Sequence, residues 1–119
     1  MPDLTVDSRR IGEVTVISPK GFINAHTVRQ FEQALRGAVD EGNEKILING
    51  AGLAYIASAG LGVIMGMIED VRSRGGDIRL AELNDTVRNI FEVLGFNHLC
   101  QILSSERDGL ASYEAGTAG

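Results

Sequence analysis

The chain has no tryptophan, a single cysteine and only two histidines among its 119 residues. A lone Cys100 cannot close an internal disulfide, which excludes a disulfide-stapled secreted domain and makes the cytoplasm the expected compartment. His26 and His98 lie far apart, with no cysteine or carboxylate at ligand spacing, so no metal site is expected. Excess basic charge is also missing. The net charge is −5, with acids and bases mixed along the chain, which argues against a binder of nucleic-acid phosphates. The start, "MPDLTVDSRR", lacks the basic n-region and apolar stretch of a signal peptide. The longest apolar run, Ala59 to Ile68, is far short of the roughly 20 residues that a membrane span requires, so no membrane insertion is expected.

What remains is ordinary for a soluble globular protein: 44% of residues are hydrophobic and 23% charged. The length suits one domain with its own core, and the tail "EAGTAG" is expected to fray. "LTVDSRRIGEVTVIS" alternates as a hairpin, ended by Pro19 to Gly21. Thr27 and Gln30 have capping-box spacing, and Val28, Phe31, Leu35, Ala38 and Val39 recur at helical intervals. "KILIN" reads as a central strand buried on both faces. Leu61, Ile64, Met65, Ile68 and Val71 share a helical face, and "DIRLAEL" is the next strand. Asn84 or Asp85 opens a third helix with the stripe Val87, Ile90, Phe91 and Leu94, stopped at Gly95. "LCQIL" is a short last strand, and Ser105 with Asp108 begins a final helix. The order is β-β-α-β-α-β-α-β-α. This predicts an α/β fold with a mixed sheet of four to five strands and four helices.

Catalytic patterns are scarce. Ser58 sits in "IASAG", which lacks the G-x-S-x-G elbow, and no paired carboxylates converge. Gly60, Gly62 and Gly66 miss the dinucleotide fingerprint by one residue and follow the wrong strand; their plain reading is close approach of helix to sheet. The protein is not expected to be an enzyme or to need a cofactor. Ser58 itself reads in two compatible ways. It can be a helix N-cap, or a phosphate acceptor at a helix start, where free N–H groups and the helix dipole tolerate negative charge. Ala57 and Ala59, beside Leu61, Val63 and Met67, suggest an apolar docking surface around it.

These residues carry a resemblance. "ILINGAGLAYIASAGLGVIMG", "GFINAHTVRQFEQAL", "RGGDIRL" and "TVRNIFEVLGF" resemble the STAS domains of anti-sigma factor antagonists over nearly all of residues 4 to 112. The resemblance implies a STAS fold and a role in bacterial partner switching. Ser58 would be the serine phosphorylated by an anti-sigma factor, a serine kinase of the histidine-kinase-like ATPase type, and a PP2C-type phosphatase would restore it. The unphosphorylated form would bind that kinase and free its sigma factor. Partner contacts are expected at Asn24, Tyr55, Ala57, Ser58, Ala59, Gly60, Leu61 and Val63. The sequence departs from the family at Asn24 and Ala57, where aspartates are usual, and at Ala59, where serine or threonine is common. A second reading keeps the fold but makes the domain an unphosphorylated interaction subunit of a transporter or a stress-signalling assembly.

Overall fold

The computed structural model describes residues 3–118, with side chains as far as Glu114. Strands β1 (Leu4–Ile11) and β2 (Val14–Ile23) form an antiparallel hairpin. Its tight turn uses Gly12 at φ 61, a left-handed conformation that costs glycine nothing. After helix α1 (Val28–Asp40) come β3 (Lys45–Asn49), β4 (Leu53–Ile56) and α2 (Ser58–Ser73). The chain continues through β5 (Asp77–Ala81), α3 (Asp85–Val93), a 3-10 turn at Phe96–His98, β6 (Ile102–Leu103) and α4 (Glu106–Ala118). The sheet runs β1-β2-β3-β5-β6, with β4 joined to the far half of β2. All pairs after the hairpin are parallel.

Alternation along the central strands divides the core into two layers. Ile46 and Ile48 face α1, α2 and α3, meeting Phe31, Leu35, Leu61, Ile64, Val87 and Phe91. Leu47 points the other way and joins Val14, Val16, Ala81 and Tyr113 beneath α4. The Tyr113 hydroxyl reaches the carbonyl oxygens of Ile46 at 2.6 Å and Asp77 at 2.7 Å, and Arg79 lies 4.1 Å above its ring. These contacts fasten α4 to the sheet.

Five local expectations need correction. Among the described residues the sheet has six strands, because Leu53–Ile56 is a strand that its short, unalternating "LAYI" does not announce; pairing with Gly21–Ile23 of β2 makes it one. Pro19 does not end β2. The N–H of Gly21, two residues on and facing the same way, bonds Gly52 O at 2.9 Å, so the donor that Pro19 lacks falls at the break between β3 and β4. Thr27 occupies the N-cap of α1 without capping it: its hydroxyl donates to Phe22 O at 2.7 Å, and Gln30 bonds Leu4 O instead. Leu94 leaves the α3 stripe and is 55% exposed, because the helix ends before it. The tail expected to fray is helical in backbone to Ala118, while Gly119 lies outside the described residues.

Candidate functional site

Ser58 is the first residue of α2, and the N-cap is Ala57, whose φ −85 and ψ 167 supply the extended geometry that a cap requires. This corrects the expectation that Ser58 caps the helix: it stands one residue inside the helix, past the cap position. Ser58 is exposed, and its hydroxyl is uncommitted by any hydrogen bond among the described residues. Ala57 in turn is anchored, its N–H donating to Ile23 O at 2.8 Å. The Ser58 and Ala59 N–H groups precede the first intrahelical donor, Gly60 N–H, which bonds Ala57 O at 2.9 Å. No acidic residue stands in the first turn, so the dipole there is not neutralised.

The same Ile23–Ala57 bond brings Asn24 beside this loop. Asn24 Oδ1 accepts from His26 N–H at 2.9 Å and Thr27 N–H at 3.2 Å, and its own N–H donates to Thr27 Oγ1 at 2.9 Å. The side chain therefore shapes the turn into α1. Its oxygen is held toward the backbone, a role that needs an acceptor and not a charge.

The remaining expected contacts divide by burial. Tyr55, Ser58 and Ala59 are exposed and Ala57 and Val63 half-buried, so all five can meet a partner. Gly60 and Leu61 are buried on the sheet-facing side of α2, and Met67 is also inward-facing. In the isolated chain they present no open surface to a partner. Gly60 serves instead to let α2 sit close on the sheet. Gly62 and Gly66 do not share that role: they are exposed, with open space where a Cβ would stand. With Ser58 they form an i, i+4, i+8 row that leaves the helix backbone approachable.

One site residue escaped the sequence reading. Phe22 pairs in register with Tyr55 across β2 and β4, and the two rings are 40% and 43% exposed. Parallel partners project to the same face, so they form one aromatic patch next to the Ser58 loop. An aromatic at the end of a strand where Pro19 seemed to stop the pairing was the available signal. Tyr55 also borders an open groove along α3, with Asp85, Arg88, Asn89, Ile90 and Glu92. Among the described residues, no group of three or more His, Cys, Asp or Glu could hold a metal. No helix there is long and apolar enough to cross a membrane.

Residues 5–109 match the STAS domain family. The chain belongs to it. A Bordetella bronchiseptica protein named as a candidate anti-sigma factor antagonist, BtrV, is 30% identical over 111 residues, covering 93% of this chain and 94% of its own. Among solved structures, an anti-sigma factor antagonist from Mycobacterium paratuberculosis superposes with TM-score 0.86 at 18% identity, covering 92% and 93% of the two chains. The antagonist SpoIIAA in its unphosphorylated form gives TM-score 0.79 at 20% identity, covering 93% of this chain and 97% of its own. Bacillus SpoIIAA has also been solved phosphorylated, with TM-score 0.69, 20% identity and coverage of 93% and 99%. At these identities the structural matches speak for the STAS fold alone, and this chain has it.

Proposed function

We propose that this STAS domain is an anti-sigma factor antagonist whose switch is Ser58. In the unphosphorylated state it binds an anti-sigma factor, a serine kinase of the histidine-kinase-like ATPase type, and frees the sigma factor. The kinase moves the γ-phosphoryl group of ATP to Ser58 Oγ. The Pγ–O bond to ADP breaks, the Oγ–P bond forms, and the hydroxyl proton leaves to a base on the kinase. A PP2C-type phosphatase hydrolyses the ester and resets the cycle.

The observation that carries this reading is the exposed, uncapped hydroxyl at the first position of α2. A phosphate there meets free N–H groups and the positive end of the helix dipole, an interaction of about 0.3–1 kcal/mol that favours the folded chain. A partner seated on Ala59, Val63 and the aromatic patch meets the same group as −1.5 to −2 charges forced toward apolar contact. Burying such charge unpaired costs several kcal/mol, and about 1.4 kcal/mol is tenfold in affinity. The fold therefore tolerates the modification that the complex does not. The name given to the Bordetella relative, BtrV, supports the antagonist part of this reading.

Incubation with the cognate kinase and ATP tests it. One phosphoryl group is expected by mass spectrometry on the natural chain and none on Ser58→Ala. Ser58→Asp is expected to melt within a few degrees of the natural protein while binding the kinase at least tenfold more weakly. Undiminished binding by Ser58→Asp would remove the switch.

A further inference from the structure

β1 leaves one edge of the sheet open. Its register with β2, and the bond from Phe22 N–H to Asp3 O at 3.4 Å, turn the main-chain groups of the odd-numbered residues, Asp3 to Ile11, toward β2. Those of Val6, Ser8 and Arg10 therefore face outward, and none has a main-chain partner among the described residues. Among the described residues, the outward Leu4 carbonyl alone is covered, by Gln30 Nε2 at 2.8 Å. Residues 7–11 are all exposed. An unpaired edge of this length is a template for another strand.

The side chains specify which strand. Two copies joined edge to edge by a two-fold axis normal to the sheet keep each side chain on its own face, so one residue must lie on the axis. With Asp7 there, two aspartates oppose each other; with Arg9 there, two arginines do. With Ser8 on the axis, Asp7 of each copy stands opposite Arg9 of the other on the same face. The backbone agrees with that choice. Ser8–Ser8 and the two Val6–Arg10 pairs then fall on outward-facing groups and exchange hydrogen bonds, and the Asp7–Arg9 pairs take the closer, non-hydrogen-bonded positions. Existing contacts leave both charges available. Asp7 holds Lys20 only at 3.7 Å, and Arg9 has donors to spare beyond its bond to Glu106.

We propose that two copies of this chain associate through antiparallel pairing of β1 centred on Ser8, forming one continuous sheet. β4 and the Ser58 loop lie on the opposite flank of β2, so each copy keeps its switch site free.

Sedimentation equilibrium of the whole chain tests this. A concentration-dependent dimer is expected below millimolar protein. Asp7→Arg and Arg9→Asp, each confirmed folded by circular dichroism, are expected to raise the dissociation constant at least tenfold on their own. An equimolar mixture of the two is expected to associate again, because every facing pair becomes opposite in charge. Ser8→Pro removes an outward N–H while the Asp7 and Arg9 bonds to β2 remain, so a folded monomer is expected. A natural chain that stays monomeric at millimolar concentration overturns the proposal, as does a dimer indifferent to these charges or a mixture that fails to pair.

Discussion

A Cβ on Gly60 would stand 2.6 Å from Cγ2 of Ile23, so the start of α2 is seated on the end of β2 with no room for a methyl group. Ile56 Cγ1 would lie at 2.8 Å from the same position, and both isoleucines are fully buried and unable to yield. Overpacking of this kind costs about 1–3 kcal/mol, more than the roughly 1 kcal/mol that alanine gains over glycine in a helix. Gly60→Ala is therefore expected to lower the urea midpoint. Gly62→Ala and Gly66→Ala meet nothing within 4 Å and are expected to raise it, each by up to about 1 kcal/mol. If Gly62→Ala also weakens kinase binding, stability and affinity move in opposite directions, as expected of a face kept bare for a partner.

The three glycines also mark how far the sequence could be read. Periodicity located α1, α2 and α3, since Phe31, Leu35, Ile64, Ile68, Val87 and Phe91 repeat at helical spacing and are all buried. It placed Ser58 at the start of a helix, but not which residue caps it, because Ala57 is set by its bond to Ile23, a contact between distant parts of the chain. β4 was hidden for the same reason. Its four residues become a strand only against Gly21–Ile23, and with it the Phe22–Tyr55 pair went unread. One glycine-spaced run contained one packing glycine and two solvent-facing ones, a division that only the helix's orientation on the sheet decides.

Glu106 gives the fold an acid-sensitive contact. Its Oε1 accepts from Arg9 and, at 2.8 Å, from Asn49 Nδ2, and these bonds hold the carboxyl below its ordinary range, the one from Arg9 contributing most. A carboxyl that titrates lower when folded contributes its full stabilisation above the unfolded value and loses it as pH falls through the folded one. Arg9 is half exposed, so the contribution is about 1 kcal/mol or less. Glu106→Gln is expected to be slightly less stable than the natural chain at neutral pH and to converge with it in acid. Denaturant titrations across that range check the sign; a gap that widens on acidification contradicts it.

Cys100 reports on opening of the α2–α3 side of the core. It is 4% exposed, its Sγ lies 3.4 Å from Phe96 O, and burial pushes its thiol up to about 11. Asp77 acts in the same direction and Arg72 against it. Because the thiolate is the reactive form, its population near pH 8 falls by roughly two orders of magnitude relative to a free thiol of pKa about 8.5. Labelling by a thiol reagent is expected to be at least a hundredfold slower in native buffer than in denaturant. Comparable rates would mean that this core opens readily in the folded state.

Asn24 separates the structural requirement at the switch from the electrostatic one. Its oxygen holds two backbone N–H groups, and an aspartate can accept both bonds in the same geometry, with charge assistance. Asn24→Asp is therefore expected to fold at least as stably, whereas Asn24→Ala loses both bonds and costs about 1 kcal/mol. Phosphorylation is expected to order these variants differently. The aspartate places a negative charge beside the loop that receives the phosphoryl group and slows transfer to Ser58, while the alanine leaves the field neutral and the rate near that of the natural chain. Kinase assays on folded Asn24→Asp and Asn24→Ala, paired with their melting curves, distinguish the two effects. If Asn24→Asp is phosphorylated faster, the acid belongs to kinase recognition, and the amide in this chain marks a weakened substrate instead of an unobstructed one.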